Sequence, residues 1–148
     1  MFSGDTFKRF LRTLGAAPTT AGQFGYTTST SLGGQVSVSG ATNYTILTGL
    51  AVPVSGLYIV DGFASFASFN STGSMVNPQF YIEGSTTGVL CTTYGPINIY
   101  TSIITAFPSV CAIKQLVAGE TLKLAIQYTS TAGSTQINTA TLKMVRIV

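Results

Sequence analysis

Side chains that could move a proton or hold a metal are scarce in this sequence: four carboxylates (Asp5, Asp61, Glu83 and Glu120), two thiols (Cys91 and Cys111) and no histidine. Hydrolysis by two carboxylates needs an acid and a base facing one another. Asp5 lies close to the amino terminus and Glu120 follows Gly119 in a turn signal, so only Asp61 and Glu83 remain as a candidate pair. Nucleophilic relays of the Ser-His or Cys-His kind lack their base. Cys91 and Cys111 could in principle pair, but both sit in apolar runs without adjacent cations, which keeps a thiol protonated, so two buried structural thiols are the favoured reading. No CxxC pair, acidic loop, GxGxxG or P-loop occurs. The expectation is a protein that is not an enzyme and carries no cofactor and no metal.

Asp61 is the odd acid, set in the apolar run GLYIVDGFASFASF and followed by Gly62. A buried carboxylate bonded to amides or paired with a cation is the favoured reading, ahead of a ligand or metal contact, because buried charges are usually compensated.

Charge placement is the stronger signal. Charged residues make up 7% of the chain, against about 25% in an ordinary soluble domain. Three of the seven cations, Lys8, Arg9 and Arg12, crowd beside Phe7, Phe10, Leu11 and Leu14. These apolar residues follow the i, i+3, i+4, i+7 spacing of one helical face, with Ser3 or Asp5 as N-cap and Gly15 as stop. So short a helix is marginal alone and needs a surface to cover its apolar side. Such an arm could touch nucleic acid, lie at a membrane or dock in a groove on a protein partner. Protein docking is favoured, because three cations are few for phosphate binding while a groove needs only the apolar stripe. No nucleic-acid or membrane partner is expected.

The remaining pattern is β. Residues 1–22 read as the amphipathic anchoring arm, 23–42 as a flexible Gly- and Thr-rich neck with short strands, and 43–148 as the body. Strands are expected at 35–39, 43–52, 56–69, 76–83, 87–94, 97–106, 109–117, 121–130 and 136–147, with no helical stretch between them. That pattern predicts an antiparallel all-β sandwich. Leu122, Leu124, Ile126 and Tyr128 alternate with Thr121, Lys123, Ala125 and Gln127, the period of a sheet with one wet face. The 56–69 strand differs. Leu57, Ile59, Phe63 and Phe69 fall on one face and Tyr58, Val60 and Phe66 on the other, so both faces ask for cover, and a second copy of the chain is the natural supplier.

Three segments, VPVSGLYIVDGFASF (52–66), LVAGETLKLAIQY (116–128) and TLKMVRIV (141–148), resemble in type and order the C1q/TNF-like jelly-roll superfamily. The shared features are a Pro-x-x-Gly-x-Tyr strand entry, a Leu-x-x-Gly-Glu turn into an alternating strand, and an apolar closing strand. The resemblance spans residues 45–148, and without a collagen stalk the chain looks most like the small trimeric knobs of tailed bacteriophage virions. It implies an all-β antiparallel jelly roll with a short N-terminal helical arm, assembled as a homotrimer. Tyr58, Val60, Phe63 and Phe66 are then the candidates for packing between subunits.

The function implied is that of a capsid cement or decoration protein on the outer capsid surface of a virion. Its partners would be itself and the major capsid protein, and its capsid-docking residues Phe7, Lys8, Arg9, Phe10, Leu11, Arg12 and Leu14. The alternative is a tail-fibre or head-fibre tip that binds a host surface glycan through Tyr81, Tyr94 and Tyr100. The sequence Met-Phe-Ser-Gly-Asp has no charged n-region or apolar h-region, so synthesis in the host cytoplasm without a signal peptide is expected. The acidic cluster that holds calcium in some C1q-like heads is missing, which argues against a calcium requirement.

Overall fold

The computed structural model describes residues 20–39, 43–68, 75–94, 105–106, 108–130 and 134–148. Among the described residues ten strands run in chain order: β1 (Thr27–Ser31), β2 (Val36–Ser39), β3 (Asn43–Ala51), β4 (Gly56–Ser68), β5 (Met75–Gly84), β6 (Gly88–Tyr94), β7 (Thr105–Ala106), β8 (Ser109–Leu116), β9 (Thr121–Ser130) and β10 (Ser134–Arg146). No helix occurs among the described residues. The expected N-terminal helix falls outside them, as does most of the 97–106 strand.

The strands form two sheets, and every pairing is antiparallel. The six-stranded sheet has β1, β10, β4 and β7 in order, with β2 also on β10 and β8 also on β4; the four-stranded sheet runs β3-β9-β5-β6. Crossing between sheets along the chain produces the jelly-roll connectivity. β1 and β2, which the sequence puts in a flexible neck, hydrogen-bond to β10 as part of the six-stranded sheet. The folded body therefore begins well before residue 43.

Period-2 patterning sets the core. From β9, Leu122, Leu124, Ile126 and Tyr128 point inward; from β4, Tyr58, Val60, Ala64 and Phe66 do the same. In β10 the inward set is Ile137, then Ala140, Leu142 and Met144. That change of parity would expose half the strand, but the register shifts between Ile137 and Thr139, and the extra residue restores the inward face. Gly49, at φ 85°, takes up a second irregularity in β3, between Leu47 and Leu50. The other sheet packs closely over Gly62, where a Cβ would lie 2.6 Å from Leu124 Cδ1 and 3.2 Å from Ile82 Cδ1. Nearby, Phe66 of one sheet meets Phe80 of the other edge-on, with centroids 6.1 Å apart and planes at 90°.

Candidate assembly surface

The residues expected to pack between subunits divide by face. Tyr58, Val60 and Phe66 are 0–2% exposed in the core of a single chain, so they have no surface to offer a second copy. Their assignment to a subunit interface is corrected on that ground. The tyrosine hydroxyl also finds its partner inside the chain, donating to the Val54 carbonyl at 2.6 Å. Phe63 has the opposite parity and is exposed on the outer face of the six-stranded sheet.

Strand register builds that outer face in rows. Val145, Ile59 and Ile113 stand abreast on β10, β4 and β8; the next row is Lys143, Asp61 and Cys111, and the next Thr141, Phe63 and Ser109. Ile59 and Phe63 are each 37% exposed and Ile113 61%. The face is an apolar patch crossed by one charged row. Asp61 is exposed, not buried as its apolar surroundings suggest, and stands opposite Lys143 in register.

Asp61 and Glu83 do not form a catalytic pair. Glu83 projects from the outer face of the other sheet, where its Oε2 lies 3.1 Å from Lys123 Nζ. The whole sandwich separates the two carboxylates. Cys91 and Cys111 lie on neighbouring edge strands of the two sheets, and both are free thiols. Cys91 is half-buried against the core and burial pushes its thiol up, whereas Cys111 is exposed on the patch, contrary to the expectation of two buried thiols. No group of three His, Cys, Asp or Glu comes together among the described residues.

The motifs behind the family resemblance have physical roles at one end of the sandwich. A Cβ on Gly56 would collide with the Val148 carbonyl and come within 3.0 Å of Arg146 Nε, so glycine lets the last strand close over the start of β4. In the Leu116–Glu120 turn, Gly119 adopts φ 85° and its amide bonds the Val52 carbonyl at 2.8 Å. Glu120, 3% exposed, turns inward and accepts the amides of Thr87 (2.7 Å), Thr86 (3.3 Å) and Val117 (3.4 Å). Burial pushes its carboxyl up, but bonds from the Thr87 hydroxyl and these amides outweigh that and hold it below the usual glutamate value. The sequence placed Glu120 in a turn but carried no sign of the distant 85–87 turn that it grips.

The capsid-docking candidates Phe7, Lys8, Arg9, Phe10, Leu11, Arg12 and Leu14 lie outside the described residues, as do Tyr100 and the side chain of Tyr94. Tyr81 is half-buried in β5. No described helix is long and apolar enough to cross a membrane, which says nothing of a β-barrel.

Neither a protein-family model nor a curated protein sequence matches the chain. Among solved structures, Eiger TNF from S. frugiperda superposes with a TM-score of 0.53 at 13% identity, covering 82% of this chain and 93% of the other. The VP2 subviral particle of infectious bursal disease virus superposes with a TM-score of 0.55 at 11% identity, covering 81% of this chain but only 33% of VP2. At such identities the likeness is one of fold, and the fold is an antiparallel TNF-like jelly roll.

Proposed function

We propose that this chain is a structural virion protein: a homotrimeric decoration protein that binds the outer surface of a capsid shell through its amino-terminal arm. The observation that carries the reading is the patch of Ile59, Phe63, Ile113 and Val145 on the outer face of the six-stranded sheet. Such a patch beside a core that is already closed supports a surface for association. A closed threefold trimer would cover it and leave outside the Thr, Ser, Asn and Gln that dominate a chain so poor in charge. The likeness to VP2, a protein of a subviral particle, supports a particle setting. The separation of Asp61 from Glu83 supports a role without catalysis.

Native mass together with copy number on purified particles tests the reading. Three times the 15.4 kDa chain mass is expected, with on the order of hundreds of copies per particle. A dozen copies or fewer would favour the fibre-tip alternative, and a monomer absent from particles would overturn both.

A further inference from the structure

The exposed large hydrophobic residues among the described residues are Phe24, Val54, Ile59, Phe63, Val89, Ile113, Val117 and Val148. They fall into two places. Ile59, Phe63 and Ile113 belong to the outer face already described. Phe24, Val54, Val117 and Val148 all lie at one end of the sandwich, with Val89 at its rim just past the 85–87 turn. Phe24 is 71% exposed, Val148 69% and Val117 53%.

Hydrogen bonds establish that these residues share one end. The amide of Gly25 donates to the Arg146 carbonyl at 2.7 Å, and Arg146 Nη1 donates to the Gly22 carbonyl at 2.6 Å. The Leu57 amide donates to the Val148 carbonyl at 2.9 Å, and the Ala118 amide to Ser55 Oγ at 2.9 Å. Val52 donates to the Glu120 carbonyl at 2.8 Å, while the Glu120 side chain grips the 85–87 turn. Four separated segments and the last strand are tied into one base before anything binds, which removes much of the ordering cost of docking.

Two features indicate what the base meets. Residues 1–19, with Lys8, Arg9 and Arg12, join the described chain at Thr20, at this end and not the other. Of the base's own charged side chains, Glu120 is turned inward onto amides, whereas Arg146 is partly exposed. The combination suits a firm protein surface with apolar ground and acidic side chains. It suits a lipid surface less, because among the base's own exposed apolar side chains only Phe24 is large, the others being short valines interleaved with Ser and Thr, and one aromatic does not make a face that inserts into headgroups.

Resting on the decoration reading above, we infer that this base, through Phe24, Val54 and Val117, is the face that seats on the capsid shell, while the arm secures it.

Shells assembled from the major capsid protein of the same genome, mixed with the full-length chain, test the inference. Phe24→Ser and Val117→Glu are each expected to weaken shell binding by about tenfold or more, as loss of a central apolar contact does. Gln127→Glu, the same charge change on the outer face of the four-stranded sheet, is expected to stay within about twofold. Near-UV circular dichroism and native mass verify that each variant is folded, and Phe24, exposed and clear of the core, serves if Val117→Glu unfolds. Base variants that bind as well as the parent chain would overturn the inference and leave the decoration reading standing. A parent chain that ignores shells would sink both, and one that prefers phosphatidylserine vesicles would replace the shell with a membrane.

Discussion

Glu120 Oε1 lies 2.7 Å from the Thr87 amide nitrogen, a contact between turns 33 residues apart. Charge-assisted bonds of this kind are among the stronger ones in a fold. Because the folded carboxyl is held below its ordinary value, its contribution is present in full above the unfolded value of about 4.3 and is lost as pH falls through the folded one. Glu120→Gln is expected to cost about 1–3 kcal/mol near neutrality. Urea midpoints measured across the acid range should converge for parent and variant as pH drops. A constant gap between them would show that the carboxylate's charge is not what matters.

Gly62 sits directly beneath the other sheet, and its neighbours Leu124, Ile82 and Val110 are core side chains with little room to yield. Gly62→Ala is expected to destabilise the fold by about 1–3 kcal/mol through overpacking, read as a lower melting temperature. The backbone there is extended, so a neutral result would mean that the core relaxes around the added methyl group.

Much of the fold was legible because alternation is a local signal. Leu122 to Tyr128 on β9 needed no knowledge of their partners. β4 was ambiguous for the same reason: with Tyr58, Val60 and Phe66 on one face and Leu57, Ile59 and Phe63 on the other, nothing within the strand says which face is core. The neighbours decide it. Ile113 and Val145, drawn from β8 and β10, flank Ile59 on the outside, while Leu124 and Ile82 of the other sheet fill the space over Gly62. Glu120 and the base were hidden in the same way, since each is assembled from segments far apart in sequence.

Ile113 stands opposite Ile59 and is the more exposed of the two, so a charge there tests the proposed assembly with little effect on the core. Ile113→Asp is expected to reduce the native mass from three chains to one while far-UV circular dichroism is unchanged. If the variant keeps the parent's mass, the outer face of the six-stranded sheet is not the interface.

Deleting residues 1–19 tests the arm without touching the sandwich, because the Arg146 bond to Gly22 and the turn bonded from Gln23 to Thr20 stay intact. The truncated chain should remain a folded trimer and lose most of its shell binding. In a trimer, three weak anchors act together, because once one is bound the others search a small volume, and the gain can reach about a hundredfold or more. The same arithmetic requires that full-length Ile113→Asp, which keeps its arm but not its partners, bind shells weakly as well. Cosedimentation of both proteins with shells separates the two contributions. If the monomeric variant bound as tightly as the trimer, a single arm would be sufficient and trimer formation would serve some purpose other than attachment.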